Sequence, residues 1–300
     1  MNAFARTLAL GVAGKAQAAA VVATLASLGM SEKAEAVLML PGQSAQSYLD
    51  LGATLNNRVG FVEIVTPTGA LGAASVALIN ENFAITCGHV VWNNLQNGGT
   101  FRVGTGANFL NDRGQVVDVA ELITYPGYPG GVTTNSPDIV ILRLASPLAG
   151  ITQAQFGTAN PGDVVTSGGY GFAFFAGQPT VPRDGFRRGW NAPVSPGAPT
   201  FGADTWYNYS QFGGTVGGSV PVNGKGLSGD SGGGVYNSLG QLVGINFGQS
   251  GNNLSVGYSS YLDLAQPDVL NWVQSNTIPT PGALTLLGLG ALVGSRRRRD

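Results

Sequence analysis

Histidine and cysteine each occur once in these 300 residues. With Cys87 alone, no intrachain disulfide can form, and stability must come from packing and hydrogen bonds. With His89 as its only imidazole, the chain excludes a zinc or copper site built on His and Cys clusters. A metal would have to sit among carboxylates and carbonyls, as Ca²⁺ does. No metal site and no cofactor are expected. Charge is scarce too: charged residues make up 10% of the chain, and the net charge is −1. Residues 1–36 and 283–300 hold seven of the 15 basic residues, so the body between them carries eight basic against thirteen acidic residues. Such a mildly acidic body argues against nucleic acid as a partner.

Glycine, by contrast, is abundant, with 47 copies. Its densest stretch is Gly226-Leu227-Ser228-Gly229-Asp230-Ser231-Gly232-Gly233-Gly234. Composition alone could produce such a loop. It also has the makings of a nucleophile turn, because glycines let backbone N–H groups approach an oxyanion beside an exposed hydroxyl. A hydroxyl nucleophile needs a base that titrates near neutrality, and only His89 can supply one. His89 follows the strand-like run Phe83-Ala84-Ile85-Thr86 and is expected at a strand end. Asp138, just ahead of Ile139-Val140-Ile141-Leu142, stands at the mouth of a buried strand. There it is either a turn aspartate after Pro137 or the carboxylate that orients the imidazole.

In that order, the three segments resemble those of chymotrypsin/trypsin-type serine proteases. Thr86-Cys87-Gly88-His89 is similar to the family's Thr-Ala-Ala-His, and Asp138-Ile139-Val140-Ile141-Leu142-Arg143-Leu144 to its Asp-Ile-Ala-Leu-Leu-Lys-Leu. Gly229-Asp230-Ser231-Gly232-Gly233 matches its nucleophile motif, and Ile123 to Tyr128 its Ile-x-His-Pro-x-Tyr segment. The resemblance spans residues 58 to 275. It implies a serine endopeptidase acting on protein or peptide substrates through a Ser231–His89–Asp138 triad, with the N–H groups of Gly229 and Ser231 as oxyanion hole. It also implies a substrate pocket formed by Lys225, Asn246, Phe247 and Gly248. Lys225 stands at the floor of the primary pocket, where it would favour acidic side chains or else point to solvent. The family's Ile-Val-Gly-Gly activation terminus is missing, and Tyr48-Leu49-Asp50-Leu51 stands in its region. Asp230 must therefore have another partner, or the chain matures differently.

Short apolar runs between Gly, Pro, Asn and Ser clusters read as all-β: Ala74–Ile79, Phe83–Thr86, Val116–Ala120, Ile139–Leu144, Val164–Ser167 and Leu242–Phe247. The resemblance implies two six-stranded antiparallel β-barrels, over about 58–150 and 160–262, within a protease domain at 58–277. A short helix is expected over 266–274, with Pro267 at its first position. Residues 171–225 are expected to form long loops around the groove, and 37–57 an N-terminal extension. Cys87 reads as a small buried hydrophobe.

Arg6 and Lys15 precede an apolar stretch from Ala18 to Met30 and then Ala34-Glu35-Ala36, the layout of a secretory signal peptide cut after Ala36 by signal peptidase. Residues 278–300 combine Pro279-Thr280-Pro281-Gly282, a dozen apolar and small residues, and four arginines, Arg296 to Arg299. This tail resembles the PEP-CTERM sorting signal of Gram-negative bacteria. It implies export to the cell surface or beyond, transient membrane anchoring as a transmembrane helix, and removal by an exosortase-like enzyme. Two rival readings stand beside the enzyme: a catalytically silent protease-fold binding module at the cell surface, and a structural exopolymer-associated β-domain.

Overall fold

The computed structural model describes residues 37–69, 71–133, 135–175, 183–196, 206–213, 219–250 and 256–278. The leader expected over 1–36 and the tail from 279 onward lie outside the described residues. Among the described residues, no helix is long and apolar enough to cross a membrane.

The described chain opens with β1 (Val37–Met39) and α1 (Ala45–Thr54). The first barrel then follows from β2 (Val59–Val65), β3 (Leu71–Asn80) and β4 (Phe83–Thr86). After α2 (Gly88–Gln96) it is completed by β5 (Thr100–Gly104), β6 (Val116–Thr124) and β7 (Val140–Leu144). The strands close in the order β2-β3-β4-β7-β6-β5, every pair antiparallel. The nearly unbroken apolar run of β7 is explained by burial on both faces. Val140, Leu142 and Leu144 pack with Val62, Val76, Leu78 and Val103, while Ile141 packs with Ile85, Ile245, Val269 and Val273.

The second half contains β8 (Val164–Gly169), β9 (Ala173–Phe175), β10 (Arg188–Pro193) and β11 (Tyr207–Gly213). It continues through β12 (Gly224–Lys225), β13 (Gly234–Tyr236), β14 (Leu242–Ser250) and β15 (Val256–Asp263). Six of these form an antiparallel sheet in the order β10-β8-β13-β14-β15-β11. The sheet curls as a half-barrel, and its outer strands meet through one bridge between Val194 and Ser210. The expected loop region thus contributes strands as well; its segments 176–182, 197–205 and 214–218 lie outside the described residues. β1 lies between β12 and β9 in a small three-stranded sheet. The chain then runs into α3 (Pro267–Thr277), with Pro267 in its first turn and Val269 and Val273 buried. The fold is therefore all-β with a short C-terminal helix.

Candidate active site

Strand β4 ends at Thr86, and His89 lies in the first turn of α2 rather than at a strand end. Val90, Val91, Asn93 and Asn94 are weak helix formers, so local propensity conceals this helix. A distant carboxylate supports it. The N-cap Cys87 makes no side-chain capping bond, and the His89 N–H, one of the orphan donors of the first turn, donates to Asp138 Oδ1 at 2.9 Å. The other oxygen, Oδ2, meets His89 Nδ1 at 2.8 Å. One fully buried carboxylate therefore caps the helix and fixes the imidazole that the helix carries. The Asp138 N–H donates to Tyr207 Oη at 3.2 Å, anchoring the aspartate to β11.

Ser231 lies between β12 and β13, in a turn where Gly229 has φ +93° and Gly232 φ +86°. Both values favour glycine. A Cβ at Gly232 would sit 2.0 Å from Thr86 Oγ1, so the turn presses against the strand that leads to His89. Among the described residues the N–H groups of Asp230, Gly232 and Gly233 have internal acceptors, while those of Gly229 and Ser231 have none. Ser231 Oγ donates to the Phe247 carbonyl at 3.4 Å. The Phe247 ring meets the His89 ring edge-on, with centroids 5.8 Å apart, and packs on Tyr207 at 4.5 Å. Phe247 thus links serine, histidine and the tyrosine that holds Asp138. Asn246 adds a second link: its carbonyl accepts from Cys87 Sγ at 3.1 Å and from the Gly232 N–H at 2.8 Å.

Next to Ser231 opens a cavity of about 230 Å³ lined by Gly226, Leu227, Ser228, Asp230, Asn246, Phe247, Gly248, Gln249 and Ser259. Of the four residues expected to form a substrate pocket, Asn246, Phe247 and Gly248 line this cavity, and Lys225 does not. It is fully buried, is not among the lining residues, and has its Nζ 6.0 Å from the centre of the Phe212 ring. β12 pairs Lys225 with Leu38 of β1, which draws the side chain into the core rather than to solvent. The partner of Asp230 is also visible. Its Oδ1 accepts the Gly171 N–H at 2.8 Å and its Oδ2 the Leu227 N–H at 3.0 Å. Burial still pushes this carboxyl up to about 6, against the opposing pull of the two amides, Arg183 and Arg188. Tyr48 to Leu51 lie inside α1.

Ligand atoms of Cys87, His89 and Asp138 fall within 4.8 Å of one another, the spacing of a metal-binding trio. Their chemistry points elsewhere. Burial, and next the Asp138 charge, push the Cys87 thiol well up, and its Sγ is engaged with the Asn246 carbonyl. The carboxylate and imidazole are already bonded to each other.

Sequence reasoning missed Tyr207, and it missed Ser75, whose hydroxyl donates to the Gly229 carbonyl at 2.8 Å. A lone serine within the apolar run Ala73-Ala74-Ser75-Val76-Ala77 was the available signal.

A family model described as Trypsin matches residues 65–273. A search of curated proteins finds no match. Among solved structures, one described as "Structure of GrC" is similar at 16% identity and a TM-score of 0.55, covering 74% of this chain and 94% of that one. At that identity the likeness concerns the fold alone, and it agrees with the barrel and curled sheet described above. The family match spans more than half of the chain, including Asp138 and Ser231, and on that ground the chain belongs to the trypsin family.

Proposed function

We propose that this protein is an exported serine endopeptidase that hydrolyses peptide bonds through an acyl-enzyme. The observation that carries the reading is Asp138, buried and bonded to both the backbone and the Nδ1 of His89. With Nδ1 occupied as donor, Nε2 is left as the base. Ser231 Oγ attacks the scissile carbonyl as His89 takes its proton. The unengaged N–H groups of Gly229 and Ser231 receive the oxyanion, and His89 returns the proton to the leaving amine. Water then repeats the sequence on the acyl-enzyme and releases Ser231. The cavity beside Ser231 would take the side chain on the acyl side of the cut.

A fluorophosphonate probe on the purified protein tests this, with the adduct mapped by mass spectrometry. An adduct on Ser231, absent in His89→Ala, is the expected result. A folded protein that gives no adduct would favour the silent binding module.

Export is supported by the sequence alone. The basic start, the stretch Ala18 to Met30 and Ala34-Glu35-Ala36 support cleavage after Ala36 by signal peptidase. The apolar tail with Arg296 to Arg299 supports transient anchoring and exosortase-like processing at a Gram-negative cell surface. N-terminal sequencing of the protein recovered outside the cytoplasm should begin at Val37.

A further inference from the structure

Arg183 is a guanidinium with an incomplete set of partners beside the nucleophile turn. Its Nε donates to the Tyr170 carbonyl and its Nη1 to the Ala73 carbonyl, both at 2.7 Å. Ala73 belongs to β3 of the first barrel, and Tyr170 directly follows β8 of the second half, so this side chain spans the two halves. The rings of Phe109 and Phe172 flank it, at 4.6 and 5.8 Å from the guanidinium carbon. Its remaining nitrogen, Nη2, is buried and has no hydrogen-bond partner among the described residues. A Cβ placed on Gly229 would lie 2.9 Å from Nη2 and 3.1 Å from Cζ. The cation therefore rests against the open face of the residue whose N–H is free.

Burying a charged donor short of partners costs free energy, and the two carbonyls and two nearby rings still leave Nη2 unsatisfied. Burial lowers the guanidinium to about 10, while Asp230 and Asp184 pull it back up, so it stays cationic at neutral pH. No carboxylate among the described residues forms an ion pair with it. Asp230 and Asp184 offset part of its field without contact, and the remainder acts on negative charge arising nearby. At the scissile carbonyl oxygen full negative charge exists only in the tetrahedral state, so the interaction favours that state over the bound ground state.

We propose that Arg183 is a positioning residue for the oxyanion-binding turn: fixed on Tyr170 and Ala73, it braces Gly229 and sets positive charge beside the N–H that meets the oxyanion. This rests on the serine hydrolase reading.

Arg183→Met keeps the stem between Phe109 and Phe172 and removes the charge. Its kcat on a peptide ester should fall about 10-fold, less than loss of a whole oxyanion donor, with KM changed less than about 2-fold. Affinity for a peptide aldehyde, which forms a tetrahedral adduct on serine, should fall by the same factor. Arg183→Lys, which restores charge without the planar fork, should recover part of both losses. A merely structural arginine would change the melting temperature and leave the ratio of aldehyde to substrate affinity as it was. That result overturns the proposal, as does an Arg183→Met enzyme with wild-type kcat. If Met prevents folding, the Lys variant alone decides, since full loss of kcat in a folded, charged variant is equally incompatible. A wild type that binds neither aldehyde nor fluorophosphonate overturns the hydrolase reading itself, a result distinct from the other two.

Discussion

Ser75 and Gly229 come from opposite halves of the fold, and the serine hydroxyl donates to the glycine carbonyl at 2.8 Å while accepting the Tyr170 N–H at 2.9 Å. The Ser75 N–H also reaches the Ser231 carbonyl at 3.2 Å. The first barrel thereby sets the orientation of the peptide planes that carry the nucleophile. Ser75→Ala leaves a buried carbonyl and a buried N–H unpaired, which should cost roughly 1–3 kcal/mol in urea denaturation. Turnover should fall about 10-fold with KM little changed, because the turn loses its hold on the oxyanion position. An Ala variant with normal turnover would remove Ser75 from the site.

Ser231→Ala should lower peptide hydrolysis by roughly 10⁴-fold or more. Among the described residues its hydroxyl makes only the 3.4 Å contact to Phe247, so thermal melting should stay close to wild type. Measuring both separates loss of chemistry from loss of fold.

Cleavage should be fastest after uncharged residues. Among the described residues Asp230 is the only charged one lining the cavity, and both its oxygens already hold backbone N–H groups. A charged side chain entering there would lose its hydration without gaining a partner. In a peptide library, uncharged residues at that position should exceed both Arg and Glu, and Lys225→Met should leave the ranking as it is. A Glu preference abolished by Lys225→Met would show the buried lysine acting on substrate after all.

Asp230 should make stability depend on pH. Its folded value, about 6, is raised above the ordinary carboxylate value of 3.8. The native state therefore holds its proton at pH values where the unfolded chain has released it. This contribution is complete below about pH 4 and is lost as pH rises through about 6, to an extent of roughly 3 kcal/mol. Denaturation of wild type and Asp230→Asn at both ends of that window checks the sign: the wild type should weaken as pH rises and the Asn variant should not share that slope. The Asn variant should be less stable throughout, since its amide N–H₂ opposes one of the two backbone donors.

Two buried strands of the first barrel were legible from their apolar runs, whereas β2, equally buried, was not. Phe83–Thr86 has the bounds read from its residues, and Ile139–Leu144 differs by one residue from the observed strand. The helix carrying His89 was not legible, because its first turn is stabilised by Asp138, 49 residues away, and no local signal can register that. His89, Asp138 and Ser231 could be singled out because each residue type is chemically distinctive in its motif. Arg183 and Tyr207 could not, since their importance comes from which backbone carbonyls and amides they reach. Lys225 was misplaced for a related reason: spacing set its position along the chain, but only its pairing with β1 sets the direction of its side chain.

The buried guanidinium of Arg187 binds the carbonyl of Gly52 in α1, that of Val59 at the start of β2, and those of Thr105 and Gly106 after β5. Two of these four acceptors precede residue 65, where similarity to the family begins. The region of recognisable ancestry and the region that folds cooperatively therefore have different borders. A chain shortened to residues 65–273 would strand a buried cation without half of its acceptors, and it should emerge as an aggregating fragment rather than a smaller protease.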